Sequence, residues 1–364
     1  MLSPLSKIRS RLQRRRLDAL LVTQPENRRY LSGFTAEDTS IAESSGVLLV
    51  PFRGAPFLLT DFRYQLQAET EAAGFEVQLY NRGLMALLKK LLPALGIKRL
   101  AFESHYTLHS TSEALEKTAK DVSVELVALR NLIEKIRERK NKEELRKIER
   151  SVALNEQVFQ EVYADLYEGM TERDAAIRIE TAMRLKGAEG PSFETIVAGG
   201  PNSALPHAVP TDRPLTKGEP IIIDMGLKLD GYCSDMTRTV ALGTPSEKMI
   251  QLSRLVRKAQ LAATEEIRAG KTGYEVDRTA RRIIAEAGYG DRFGHGLGHG
   301  VGLAVHENPS LSKRNRKKLR IGMVVTVEPG IYLPGWGGIR LENMVAVEKD
   351  GCRLLNQDTT FLDL

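Results

Sequence analysis

Cysteine is scarce: the chain of 364 residues holds two, Cys233 and Cys352. So few thiols exclude a disulfide scaffold and, with no secretory signal to be read, point to a reducing cytoplasm. The two form no CxxC pair, which argues against structural zinc. Long apolar runs are lacking as well. Nothing approaches the roughly eighteen consecutive apolar residues that a membrane span needs. Histidine occurs six times, yet three of the six crowd into "GHGLGHGVGLAVHENP" (294–309). His295 and His299 stand four apart, the spacing of a metal-binding pair on a helix, but the glycines around them are poor helix formers. A metal site, a phosphate-cradling loop and an ordinary flexible loop all fit this stretch alone.

What is present is ordinary for a globular protein: 42% apolar and 27% charged residues, in a length that suggests two domains. The formal net charge of +6 raises the question of a polyanionic partner. Much of the excess lies in "KIRSRLQRRR" (7–16), where Leu5, Ile8 and Leu12 recur at helical spacing. The basic residues therefore read as the solvated face of a helix rather than a nucleic-acid surface. An Arg-rich, acid-poor start also suits a transit peptide. Against that, the helix runs straight into "LDALLVT" (17–23), which reads as a core strand.

From 17 to about 130, short apolar strands alternate with helical segments, the pattern of an α/β domain. "GVLLVP" (46–51) and "APFLLTDFRY" (55–64) read as adjacent strands joined through Arg53-Gly54, "LMALLKKLLPAL" (84–95) as a helix, and "RLAFE" (99–103) as a buried strand. The stretch 131–169 is charged at its start and apolar-periodic later, a linker running into a long helix. Domains over 1–133 and 134–364 are expected. Within the second, "GMTERDAAIRIETAMRLKG" (169–187) faintly echoes "GKTGYEVDRTARRIIAEAG" (270–288). Both read as a Thr-initiated helix ended by glycine, with Asp174 or Glu275 near capping-box position.

The strongest chemistry begins at "PIIIDMGLKLDGYCSDMTRTVAL" (220–242). Two β-rich runs flank Asp230-Gly231, a hairpin turn signal. A two-residue turn there places Asp224 opposite Thr237, with Asp235 diagonal to Asp224 on the same face. An acid ending the buried-looking run "IIID" needs a partner. Downstream, "MVVTVEPGIY" (323–332) ends its run with Glu328. "GGIRLENMVAVE" (337–348) puts Arg340, Glu342 and Met344 on one face, with Ile339, Leu341 and Val345 on the other. Four acids near strand ends plus a glycine-flanked histidine fit an oxygen-rich binuclear metal site. Oxygen donors with one imidazole suit Mn, Co or Fe, and a water bridging two such ions becomes a hydroxide-like nucleophile near neutral pH.

"SFETIVAGGPNSALPH", "DMG", "SDMTRT", "GHGLGHGVGLAVHE", "TVEPGIY" and "IRLEN", in this order, resemble the binuclear metallopeptidases of the pita-bread fold, which include methionine aminopeptidase, aminopeptidase P, prolidase and the metal-free creatinase. "LDALLVTQPENRRYLSGF" (17–34) is similar to the opening domain of aminopeptidase P and prolidase. The resemblance implies an α/β creatinase/prolidase-like domain followed by an α+β pita-bread catalytic domain built from two related halves. It implies Asp224, Asp235, His299, Glu328 and Glu342 as ligands of two divalent ions, Mn foremost with Co, Fe or Zn as alternatives, Asp235 and Glu342 bridging. His207 and His306 are implied as catalytic groups at the oxyanion or in proton transfer, and Glu328 as both ligand and proton acceptor. His295 and Arg340 are implied on the substrate side, although Arg340 could instead orient Glu342. His105 and His109, in "ESHYTLHS", read as structural.

The function so implied is hydrolysis of the Xaa-Pro bond at the N-terminus of short peptides, as in aminopeptidase P. A prolidase acting on Xaa-Pro dipeptides is the alternative. Methionine aminopeptidase fits less well, because this chain carries a full extra N-terminal domain. In relatives that domain narrows the site, often across a homodimer. A different class, a peptidase-like module that binds nucleic acid or protein without catalysis, would require loss of metal ligands, and the five positions all carry ligating residues.

Overall fold

The computed structural model describes residues 3–360 and divides into two units, Met1–Ile136 and Arg137–Leu364. In the first, α1 (Pro4–Arg14) starts at Ser3, whose hydroxyl accepts the Ser6 N–H, and buries Ile8 and Leu12 as their spacing requires. The basic face is narrower than expected. Arg14, Arg15 and Arg16 are exposed, but Arg9 Nε donates to the Pro51 carbonyl (3.3 Å) and Arg11 to that of Leu132. Further along come β1 (Ala19–Val22), α2 (Pro25–Ser32), β2 (Val47–Pro51), β3 (Phe57–Thr60), α3 (Gln65–Glu71), β4 (Glu76–Leu79), α4 (Leu84–Ala94), β5 (Arg99–Glu103), α5 (His109–Asp121), β6 (Glu125–Leu129) and α6 (Glu134–Arg137). The strands form one mixed sheet in the order β4-β3-β2-β1-β5-β6. β2 and β3 are antiparallel neighbours, as read from the sequence, while β1, β5 and β6 run parallel.

The second unit is built twice over. Its first half holds α7 (Lys142–Ala164), α8 (Glu172–Leu185), β7 (Gly190–Pro191), β8 (Ile196–Gly199), β9 (Ile221–Met225), β10 (Leu227–Leu229), β11 (Tyr232–Cys233) and β12 (Met236–Val240). The second holds α9 (Glu247–Glu266), α10 (Gly273–Glu286), β13 (Gly298–Gly300), β14 (Glu307–Leu311), β15 (Val324–Val327), β16 (Gly330–Leu333), β17 (Gly337–Arg340), β18 (Asn343–Val347) and β19 (Cys352–Leu354). In each, two helices precede an antiparallel trio, β8-β9-β12 and β13-β15-β18. The echoed segments are the equivalent helices α8 and α10. Thr171 and Thr272 cap them through hydroxyls that accept the N–H of Asp174 (3.0 Å) and Glu275 (3.2 Å). Each threonine also makes an antiparallel bridge, to Pro214 and to Lys318. No helix among the described residues is long and apolar enough to cross a membrane.

Strand alternation decides which residues reach the site. Ile221, Ile223 and Met225 pack beneath α7 and α8 with Val158, Phe159, Ile179 and Met183. Ile222 and Asp224 therefore face the other way. Val325, Val327, Val345 and Val347 pack likewise against Leu252, Val256, Val276 and Ile284 from α9 and α10. Leu229 pairs with Tyr232 across Asp230-Gly231, whose φ values of 49° and 82° are those of a type I′ turn. The same pairing continues into β9 and β12, where Thr237 stands opposite Asp224.

The segment read as a linker into a long helix holds the boundary between the units and leads into α7, and two of its charged residues are buried, Arg137 at 3% and Lys140 at 6% exposed. The glycines beside His299 serve close strand packing rather than a ligand: a Cβ on Gly298 would lie 2.1 Å from the Thr326 carbonyl oxygen, and one on Gly300 2.5 Å from that of Asn308. Gly298→Ala should force β13 from β15 and destabilise the protein by about 1–3 kcal/mol, read by urea unfolding. Gly294→Ala is the control, because its added Cβ meets nothing within 4 Å. Equal stability of the two variants would refute this account.

Candidate active site

One cavity of about 520 Å³ in the second unit is lined by all nine residues singled out from the sequence: His207, Asp224, Asp235, His295, His299, His306, Glu328, Arg340 and Glu342. The duplicated architecture explains the convergence. Asp224 is the penultimate residue of β9 and Glu328 directly follows β15, while Asp235 precedes β12 as Glu342 precedes β18. Each acid thus leaves the end of a strand whose other face is anchored in an apolar core. His105 and His109 lie in the first unit, away from the cavity. His105 Nε2 is 2.9 Å from Glu134, and His109 is exposed beside Glu113.

His299 sits on β13 with Nε2 3.5 Å from Asp235 Oδ2 and 3.4 Å from Glu328 Oε1. Its Nδ1 is 3.2 Å from the Gly300 carbonyl, which can only accept, so Nδ1 carries the proton and Nε2 offers its lone pair to the acids. Ligand atoms of Asp235, His299 and Glu342 all lie within 4.8 Å of one another. His306 packs edge to face on His299 at 4.3 Å between ring centroids. His295 is differently occupied. Its Nδ1 donates to the Gly296 carbonyl (2.8 Å) and its Nε2 accepts from the Tyr332 hydroxyl (2.9 Å).

Arg340 is buried, and all three of its guanidinium nitrogens meet protein acceptors. NH2 donates to Asp224 Oδ2 (2.6 Å), Nε to Thr237 Oγ1 (3.1 Å), and NH1 to the Tyr332 oxygen (3.0 Å) and the Pro206 carbonyl (3.2 Å). Thr237 in turn donates its hydroxyl proton to Glu342 Oε2 (2.7 Å). Arg340 therefore orients Asp224 directly and Glu342 through Thr237. Thr326 does the same on the other side, accepting the His299 N–H (3.0 Å) and donating to Glu328 Oε1 (3.2 Å). Behind the acids, fully buried Arg238 ties the strands together. It donates to the Thr237 and Glu342 carbonyls (3.0 and 2.7 Å) and to Asp358 Oδ2 (2.6 Å). Thr326, Tyr332 and Arg238 escape sequence reading, and Thr237 is read only as standing opposite Asp224, because an isolated Thr, Tyr or Arg in a strand carries no role until its cross-strand partners are known. Each threonine stands two positions from a proposed ligand, Asp235 or Glu328, and that was the available signal.

The electrostatics demand a cation. Burial raises the Asp235 and Glu328 carboxyls well above the ordinary range, and the nearby Glu342 carboxylate raises both further. Burial, then Asp224, pushes Glu342 to about 8. Burial also lowers His299 to about 4, keeping its imidazole neutral. Asp224 Oδ1 and Glu342 Oε1 are buried with no hydrogen-bond partner among the described residues. Crowded acids, a neutral imidazole and orphaned carboxylate oxygens are the donor set of a divalent-cation site.

Residues 146–349 match the profile of metallopeptidase family M24, and residues 4–139 that of the creatinase/prolidase N-terminal domain. The chain is 35% identical to an Xaa-Pro dipeptidase of Pyrococcus horikoshii over 96% of both proteins. It superposes on an Xaa-Pro dipeptidase from Bacillus anthracis with a TM-score of 0.91 and 35% identity, covering 98% of this chain and 97% of that one. An X-Pro aminopeptidase from Thermotoga maritima gives 0.87 and 36%, covering 96% and 98%.

Carboxyls that stay protonated in the folded protein but ionise in the unfolded one make unfolding easier as pH rises. His295 and His299, depressed to about 4, act in the opposite sense up to their ordinary value of 6.5. Metal-free protein should therefore lose stability chiefly between about pH 6.5 and about pH 8, and Mn(II) should reverse the loss. Thermal unfolding in EDTA and in Mn(II) across that range measures both; a flat profile in EDTA would contradict the charge-crowding argument.

Proposed function

The chain belongs to metallopeptidase family M24, and from that membership we propose that it is a metal-dependent exopeptidase cleaving the bond between an N-terminal residue and a following proline. The observation that carries the reading is the convergence of four carboxylates and one imidazole in a single cavity, with two carboxylate oxygens lacking partners. We assign Asp224, Asp235, His299, Glu328 and Glu342 as the side chains that would hold two divalent ions, Asp235 and Glu342 being the equivalent acids of the two halves. The oxygen-rich donor set suits manganese first, then cobalt, iron or zinc. Such ions supply a water that ionises near neutral pH and Lewis-acid polarisation of the scissile carbonyl.

The remaining chemistry falls to the chain's own residues. Glu328, which faces the cavity beside His299 Nε2 at 3.4 Å, takes the proton of the attacking water and passes it toward the departing proline nitrogen. His306 and His207, on the cavity wall, donate N–H bonds to the oxyanion as it forms. Ile196, Pro206 and Pro210 offer an apolar wall for the prolyl ring. His295 and Arg340 act through Tyr332, Thr237 and Asp224, as positioning residues rather than substrate contacts.

Substrate length divides two activities. Arg340 is the one Arg or Lys lining the cavity among the described residues, and its nitrogens are already committed. A free proline carboxylate would meet no uncommitted guanidinium there, whereas a proline followed by another peptide bond needs none. That favours Xaa-Pro-Yaa peptides. The names of the Pyrococcus and Bacillus relatives favour the dipeptide reading instead. Manganese-loaded protein should release the first residue of Xaa-Pro-Yaa at roughly ten times or more the kcat/KM for Xaa-Pro, the discrimination expected of about 1.4 kcal/mol. EDTA or Asp235→Ala should abolish both activities. Faster dipeptide cleavage would select the second reading; cleavage of neither substrate at full metal occupancy would overturn the proposal.

A further inference from the structure

The His306 imidazole makes no hydrogen bond among the described residues; its ring packs edge to face on His299. Its position must therefore come from the backbone that carries it. The next residue, Glu307, opens β14 and sends its carboxylate into the interior. There it meets Arg137 NH2 at 2.7 Å and Lys140 Nζ at 2.5 Å, with all three side chains at most 9% exposed. Burial alone would raise the Glu307 carboxyl, but Lys140 and Arg137 outweigh it and hold the group ionised below the usual range.

The two cations are themselves fixed. Lys140 donates its backbone N–H to the Gly322 carbonyl (2.7 Å), and Arg139 Nε donates to that of Ile321 (3.1 Å). Glu144, in the first turn of α7, accepts the Asn141 N–H (2.8 Å) and the Tyr232 hydroxyl (3.1 Å). Beside Tyr232, the Cys233 N–H donates to the Gly302 carbonyl (2.8 Å) at the near end of the loop that leads to His306. A Cβ on Gly302 would lie 2.5 Å from Glu307 Oε1, so the loop passes directly over the ion cluster. The loop is therefore held at one end by the hairpin and at the other by Glu307.

We propose that Glu307 is a positioning residue for His306, and that Arg137 and Lys140, from the charged segment ahead of α7, form the socket that fixes it. A buried carboxylate between two cations leaves far less freedom than an apolar contact, because any displacement strands an unpaired charge. The arrangement transmits that rigidity through one peptide unit to an imidazole with no anchor of its own. Its catalytic consequence rests on the role given to His306 above; its structural content does not.

Two measurements test it on the full metal-loaded chain, the first with manganese. Glu307→Gln should lower kcat by roughly ten- to a hundredfold, the cost of misplacing a reacting group by about an ångström, with KM and metal stoichiometry unchanged. In a His306→Ala background the same substitution should have no further effect on kcat. Equal loss in both backgrounds would mean general destabilisation and would overturn the proposal, as would unchanged kcat in Glu307→Gln alone. Should Glu307→Gln fail to fold, Lys140→Met, which leaves Arg137 paired, is the milder variant with the same expectations. The second measurement is independent of turnover and uses the chain loaded with diamagnetic zinc, because Mn(II) would erase the His306 signal. In histidine-labelled protein, the ring signal lost in His306→Ala should shift and broaden in Glu307→Gln, while those of His105 and His109 stay fixed. If wild type cleaves no Xaa-Pro peptide, the proposed function fails, yet an unmoved His306 signal still refutes the socket and a moved one still supports it.

Discussion

Four carboxylates share one buried cavity, and their mutual repulsion is the constraint around which the second unit is organised. Nothing apolar could hold them there. Each is gripped from outside: Asp224 by Arg340, Glu342 by Thr237, Glu328 by Thr326, and Asp235 through its N–H, which approaches Met344 Sδ at 3.2 Å. These contacts fix direction without cancelling the charge, as the raised Asp235, Glu328 and Glu342 carboxyls show. The protein thus holds a geometry that is unfavourable by itself and becomes favourable with a cation in place.

Duplication supplies the scaffold for that geometry. Two helix pairs with their own apolar cores each present an antiparallel trio, and each trio contributes one acid at a strand end and one just before the return strand. Function then breaks the likeness. β13 brings an imidazole, whereas β8 carries Ile196, Val197 and Ala198. The glycines flanking His299 belong to this departure: they let β13 approach β14 and β15 closely enough to insert a ring where the other half has only aliphatic side chains.

Much of this could be read along the chain because it is written in local pattern. Asp230-Gly231 between β-rich runs predicts the register that sets Thr237 opposite Asp224, since a two-residue turn leaves no freedom in pairing. The alternation across 337–348 separates Arg340 and Glu342 from the core-facing Ile339 and Leu341. What escaped depends on contacts between distant segments. The burial of Arg137 and Lys140 is invisible until β14 delivers Glu307 to them, so the charged run gives no sign of it. The four-residue spacing of His295 and His299 is shared with helical metal pairs, yet one ring faces Tyr332 and the other the acids. Tyr332 gave no signal at all.

Arg238 holds the carbonyls of Thr237 and Glu342 with one nitrogen and the Asp358 carboxylate with another. Asp358 lies downstream of every acid in the cavity, and Asn356, two residues before it, takes the Met344 N–H (2.7 Å). During synthesis the four acids and His299 are therefore all made before the clamp that aligns their strands exists. The strands that carry the acids can thus be clamped together only after this downstream segment has been made and has docked, which places the alignment of the cavity among the late steps of folding.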